Sequence, residues 1–113
     1  MSCSAKFSSQ FYGPFRDACK SAPDQNMQLK DRKTYQASSV NGKDALASTY
    51  RDIEEGADIV MVKPSMPYLD IIQTLSQTVQ VPIAAYHVSG EYQSLELLAQ
   101  HNLVDRHRAH LEI

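Results

Sequence analysis

The chain has 113 residues, 42% of them hydrophobic and 21% charged, with a formal net charge of −2. That is one domain's worth of chain at most, with enough apolar mass for a core, which argues against disorder; no basic excess points to nucleic acid or an anionic membrane. The longest purely apolar run, Ile59-Val60-Met61-Val62, is too short to span a bilayer, and Met1 to Lys6 holds no signal-peptide-like stretch. Cys3 and Cys19 make neither a disulfide framework nor a zinc site, so the expectation is a soluble intracellular α/β chain, or a piece of one.

Residues 1–40 read as irregular. Gly13-Pro14 stops any helix from running through, because proline lacks the N–H and fixes φ. A short helix is predicted over 15–20, then a long polar loop of the kind that serves as a lid or stays disordered. From Asn41 the pattern is regular. Asn41 or Asp44 caps a helix through Glu55, with Leu46, Tyr50 and Ile53 on one face, and Gly56 ends it. Residues 58–62 form a continuous apolar run, the mark of a strand buried on both faces, and Lys63-Pro64 follows at its carboxyl end. Ser65 is the expected cap of a second helix, with Pro67 in its first turn and Leu69, Ile72, Leu75 and Ser76 at helical spacing. A second strand is predicted over 81–88, broken by Ser89-Gly90. A third helix is predicted over 91–100 with Tyr92, Leu95, Leu98 and Ala99 inward and Asn102 as its C-cap; 105–113 reads as the start of another helix. Alternating helices and apolar strands imply parallel strands covered by helices, a fold that carries active sites at the carboxyl ends of its strands.

Several side chains at those ends could carry chemistry. Lys63 stands at the lip of an apolar strand, where desolvation disfavours the ammonium, and a free amine attacks a ketone to form a Schiff base. Its ordinary alternative is a lysine that snorkels to solvent. Lys6 lies among small hydroxyl residues; a second cation near Lys63 would disfavour both ammonium forms, and a surface lysine is again the ordinary alternative. Arg16 and Arg32 suit a carboxylate through paired hydrogen bonds, with Gln36 as a further donor; solvated loop charge is the alternative. Ser89 could offer its hydroxyl to an anion or simply cap a helix. His107 and His110 have no third partner for a metal, His87 is expected to pack at a strand end, and Tyr12, Tyr35, Tyr68, Tyr86 and Tyr92 read as core or rim aromatics.

The segments are more specific together. Ser2-Cys3-Ser4-Ala5-Lys6-Phe7, Phe11-Tyr12-Gly13-Pro14-Phe15-Arg16-Asp17-Ala18, Asp31-Arg32-Lys33-Thr34-Tyr35-Gln36, Glu55-Gly56-Ala57-Asp58, Met61-Val62-Lys63-Pro64, Pro67-Tyr68-Leu69-Asp70-Ile71 and Tyr86-His87-Val88-Ser89-Gly90-Glu91-Tyr92 occur in this order. This closely resembles the porphobilinogen synthase (5-aminolevulinate dehydratase) family, from Met1 to about Asp105. The resemblance implies a (β/α)8 TIM barrel that condenses two molecules of 5-aminolevulinate into porphobilinogen in haem and chlorophyll synthesis. By the same resemblance Lys63 and Lys6 are the Schiff-base lysines, and Arg16, Arg32 and Gln36 grip one substrate carboxylate. Ser89 holds the other, Tyr12 lines the pocket wall, and residues 21–36 form the active-site lid.

A full barrel takes about 250 residues, so the chain is expected to be a part of one, about strands five to seven, and inactive in isolation. No metal ligand or cofactor is expected within it; zinc or magnesium is expected of the full-length family enzyme, as is a homo-octamer. Cytosol is the default compartment, with a plastid open to the parent. The family usually has Tyr where Cys3 stands, and many bacterial members carry a magnesium-binding glutamate where this chain has Ser48. The match weakens over Gln93-Ser94-Leu95-Glu96. The alternatives are a non-enzymatic truncated remnant and another Schiff-base, aldolase-type barrel; the latter predicts a Gly-rich phosphate-binding strand end, and none is visible.

Overall fold

Val60, Met61 and Val62 are apolar without alternation, so the strand they form must be covered on both faces. That strand, β2 (Val60–Lys63), is the middle of a three-stranded parallel sheet. The computed structural model describes residues 1–20 and 36–113, and its sheet runs in the order β1 (Ser2–Lys6), β2, β3 (Ile83–Ala85). Five helices connect and cover it: α1 (Gly13–Lys20), α2 (Gly42–Glu54), α3 (Leu69–Thr78), α4 (Ser89–Gln100) and α5 (Arg106–Glu112). Short 3-10 turns at Gln10–Tyr12 and Met66–Tyr68 lead into α1 and α3. The α/β class with parallel strands is as expected. The expected lid, apart from Gln36, lies outside the described residues, as does Arg32.

β1 corrects the expectation of an irregular N-terminal stretch. Ser2-Cys3-Ser4-Ala5-Lys6 has neither the apolar run nor the alternation that marks a strand. Its residues are small because the strand is pressed into the core: Ala5 is wholly buried and Ser4 nearly so. The pairing comes from β2, with Ser2 N–H donating to the Ile59 carbonyl and Phe7 N–H to that of Lys63. Tertiary contact thus overrides weak local propensity. A one-residue rung continues the sheet beyond β1, where Ala37 bridges Phe7 in parallel.

The second strand is also shorter than predicted. Pro82 has no N–H to give, although its carbonyl accepts from Val60 at 3.1 Å, and His87 is exposed instead of packed. Helix α4 starts at Ser89 and buries Glu91 and Leu95, one helical turn apart. Tyr92 and Leu98, predicted inward, are 52% and 39% exposed. In α2 the buried residues are Ala45 and Thr49; Tyr50 lies at the surface, its hydroxyl hydrogen-bonded to Thr78 Oγ1 at 2.8 Å. Ser65 holds the N-cap position of the 3-10 turn that leads into α3 and not of α3 itself, and it makes no side-chain cap bond: its hydroxyl is buried without a partner.

The helix ends follow the expected signals. Gly56 has φ +102°, and Ala57 N–H reaches back to the Asp52 carbonyl, the double-bonded close that a left-handed residue permits. Asn102, at φ 54°, ends α4 the same way, with Leu103 N–H on the Leu98 carbonyl. Asp105 caps α5 by accepting from Arg108 N–H at 2.8 Å. The core joins Ala5, Phe7 and Val62 of the sheet to Ala45, Ile71 and Leu75 of α2 and α3.

Candidate active site

Parallel strands end together, so their carboxyl ends make one edge. The register places Lys6 opposite Lys63, the last residues of β1 and β2. Residues paired across a sheet project to the same face, so two half-buried ammonium-bearing side chains share one rim. Val62 pairs with Ala85, which sets Tyr86 beside Lys63 in the same row. The Lys63 Nζ lies 3.9 Å from the centre of the Tyr86 ring, a cation–π contact.

The other expected site residues gather on the loops after these strands. Tyr12 is buried and its hydroxyl donates to the Lys63 carbonyl at 3.4 Å. Arg16 anchors its Nη2 on the Ser9 carbonyl at 2.7 Å and sets its guanidinium 5.8 Å from the Tyr12 ring centre; its Nε is buried without a partner. Gln36 is buried, and neither its amide oxygen nor its amide nitrogen has a partner. The chain beside it is held to β1, with Ala37 N–H on the Lys6 carbonyl and Ser8 N–H on the Ala37 carbonyl. Ser89 is not the N-cap of α4, which is Val88; its Oγ accepts from Phe15 N–H at 3.1 Å.

Electrostatics differ at the two ends of the sheet. At the carboxyl end, Tyr68 stacks on Phe7 and its phenol is pushed up, by burial first and by the Asp70 charge second. At the amino end, Asp52 is held below the usual carboxylate range by hydrogen bonds from Ser2 and then Ser4, with Arg51 adding to them. A shallow depression lined by Met1, Ser2, Asp52 and Asp58 lies at that end, away from both lysines.

The model of the family described as delta-aminolevulinic acid dehydratase matches residues 1–113. This chain belongs to the delta-aminolevulinic acid dehydratase family. It is 47% identical over 112 residues to the dehydratase of Synechococcus elongatus, covering 99% of this chain and 33% of that protein. It is 50% identical over 109 residues to that of Streptomyces coelicolor, and 47% identical over 112 residues to a chloroplastic dehydratase of Physcomitrium patens. A crystal structure of the Toxoplasma gondii dehydratase (porphobilinogen synthase), in complex with the reaction product porphobilinogen, superposes with a TM-score of 0.84 at 41% identity. That match covers 97% of this chain and 30% of the other. The chain thus spans about a third or less of the relatives it matches.

Dehydratases of this family are expected to use zinc or magnesium. Among the described residues no three His, Cys, Asp or Glu side chains come together, and Cys3 and Cys19 are exposed free thiols. These residues do not make a metal cage. No helix among them is long and apolar enough to cross a membrane. Two residues of this dehydratase segment escaped the sequence reading. Tyr86 reads as a core or rim aromatic, whereas its ring covers Lys63; its place beside Lys63 is set by the register of β2 with β3, which the sequence does not show. Glu91 stands in the motif over 86–92 and opens a predicted helix without a role of its own, yet it is 1% exposed. A glutamate three residues past an N-cap is the capping-box position, but the cap residue here is Val88 where the sequence signature needs Ser or Thr, so that signal is absent.

Proposed function

We propose that this chain carries the two imine-forming lysines of a porphobilinogen synthase, which condenses two molecules of 5-aminolevulinate into porphobilinogen. The pairing of Lys6 with Lys63 at the carboxyl edge of adjacent parallel strands carries this reading. Each amine adds to the ketone of one substrate molecule and expels its oxygen as water, leaving an imine. An α-carbon of one imine loses a proton and attacks the imine carbon of the other, which forms the C–C bond. The amino group of one substrate then displaces lysine from the other substrate's imine carbon, which forms the C–N bond. Elimination of the remaining lysine and loss of protons complete the pyrrole. Both amines are regenerated, and two waters leave for each pair of substrates.

The carboxylates need donors. Arg16, Arg32 and Gln36 serve one of them; the unpartnered amide of Gln36 supports this, because a buried polar group without a bond is costly until a ligand supplies one. Ser89 serves the other. Its oxygen already accepts from Phe15 N–H, so the hydroxyl proton is left to donate. Tyr12 walls the pocket. We read the three strands as about the fifth to seventh of a (β/α)8 barrel, and the homo-octamer as a property of the whole enzyme.

Borohydride trapping tests the reading. The full-length parent that carries this segment is incubated with 5-aminolevulinate, reduced, digested and mapped by mass spectrometry. The expected result is an adduct on Lys63 that Lys63→Met abolishes, with Lys6 labelled more weakly. Absence of adduct from both lysines would sink the reading.

A further inference from the structure

Glu91 is the most deeply buried charged side chain among the described residues, 1% exposed, and the mechanism above does not use it. Among the described residues no cation pairs with its carboxylate. Oε1 accepts from Met66 N–H at 2.7 Å, and Oε2 accepts from Val88 N–H at 2.7 Å. Met66 opens the turn that follows Lys63-Pro64-Ser65; Val88 immediately precedes Ser89. Two helical starts therefore converge on one carboxylate, and their unpaired N–H groups make its burial tolerable. Val88 has no side-chain acceptor, so among the described residues Glu91 supplies the side-chain cap at this end of α4. The same segment is fixed on its other side: a Cβ on Gly90 would overlap the Phe11 carbonyl and stand 2.7 Å from the Phe11 Cα.

We propose that Glu91 is a positioning residue, whose carboxylate ties the loop after Lys63 to the loop that carries Ser89 and so fixes the span between the imine-forming amine and the carboxylate-binding hydroxyl. The proposal rests on the functional reading above. It has a consequence that structural support alone does not have. A ketone that bears a carboxylate gains from a correct amine-to-hydroxyl span; a ketone without one does not.

The test compares Glu91→Gln with the unaltered protein, both within the full-length parent. Gln keeps the volume and one acceptor but turns an NH2 toward a backbone N–H. Borohydride trapping at Lys63 is measured with 5-aminolevulinate and with aminoacetone, which keeps the ketone and amine and lacks the carboxylate. Amide hydrogen exchange at Met66 and Val88 is followed in parallel. In the variant, the preference for 5-aminolevulinate over aminoacetone is expected to fall about tenfold, the equivalent of one lost charge-assisted bond at 1.4 kcal/mol per decade. Aminoacetone trapping is expected to hold, and both amides to lose protection while Val60 and Val62 keep theirs. Glu91→Asp, which is too short to reach both amides, is expected to fall between. An equal drop with both ketones, or no change at the two amides, overturns the proposal. Should Glu91→Gln unfold, the aspartate variant decides it by the same ratio. An unaltered parent that traps neither ketone defeats the functional reading, and amide exchange then decides whether the tether exists.

Discussion

Replacing Phe7 with Leu tests the packing that places Lys6. Phe7 is wholly buried and its ring lies flat on Tyr68, with centroids 3.6 Å apart and planes 7° from parallel. Aromatic pairs gain about 0.5–1.5 kcal/mol beyond area burial, and a near face-to-face stack belongs at the low end of that range. Leu keeps an apolar side chain but fills the site imperfectly, which adds up to about 1.5 kcal/mol. The expected loss is therefore about 1–2 kcal/mol, which at a urea dependence of about 1.5 kcal/mol per molar lowers the midpoint by about 1 M. Phe15→Leu is the matched control. Phe15 is 53% exposed, and surface changes of this kind stay within about 0.5 kcal/mol. Urea unfolding followed by far-UV circular dichroism reads both. Equal shifts for the two variants would refute the burial of Phe7, and with it the register that brings Lys6 to Lys63.

Three further outcomes follow from single contacts. Gly90→Ala puts a methyl into the Phe11 backbone, where neither side can yield as a side chain would; a loss of about 1–3 kcal/mol is expected, read as a lower thermal midpoint. Ser2→Ala removes the 2.5 Å hydrogen bond to Asp52, so the Asp52 carboxyl pKa should rise toward the ordinary range in a carbon-13 NMR titration. Because that pKa is depressed in the fold, its contribution is present above the ordinary carboxylate value and lost as pH falls through the folded value; exposure keeps it small. Tyr68 works in the opposite sense: burial raises its phenol, so its contribution is intact below about pH 10 and lost as pH rises through the folded value. Tyr68→Phe should flatten that alkaline loss in denaturation midpoints taken from pH 9 to 11.

The helices and β2 were readable because they depend on local signals. Gly56, Asn102 and Asp105 mark helix ends by backbone conformation and capping chemistry, and each does so here. The short, β-branched apolar run ending at Val62, closed by Lys63-Pro64, reads as a covered strand, and it is one. β1 was hidden because small, polar Ser and Cys residues carry no periodicity; its strand character is imposed by β2. The inward face of α4 was misread for a related reason. Counting apolar residues chose Tyr92 and Leu98, but a tethered carboxylate at Glu91 sets the helix rotation, and hydrophobic periodicity has no means to weigh it. The site divides in the same way. Residue types and motif order singled out Lys6, Lys63, Arg16, Gln36 and Ser89. That Lys6 and Lys63 are direct neighbours is a matter of register between strands more than fifty residues apart, and no local pattern encodes it.

That Ser89, Gly90 and Glu91 are consecutive has a geometric reason. Successive residues at a helix start diverge by about 100°, so three neighbours face three directions. Ser89 turns to Phe15 at the start of α1, Gly90 abuts Phe11 in the turn after β1, and Glu91 reaches Met66 in the turn after β2. One helical turn thereby holds the carboxyl-end loops of all three strands, its own included through Val88. Three separated contacts would each need their own backbone path to the rim, whereas the first turn of a helix supplies all three at once. This sets the cost of change apart at each position: a larger residue at Gly90 drives off the loop after β1, and a shorter acid at Glu91 frees the loop after β2. Loss of the Ser89 hydroxyl removes a donor and gives up only the exposed bond from Phe15 N–H, which leaves the Phe11 and Met66 contacts in place. Ser89→Ala should therefore weaken trapping of 5-aminolevulinate relative to aminoacetone with little effect on the urea midpoint, the reverse of what Gly90→Ala should do.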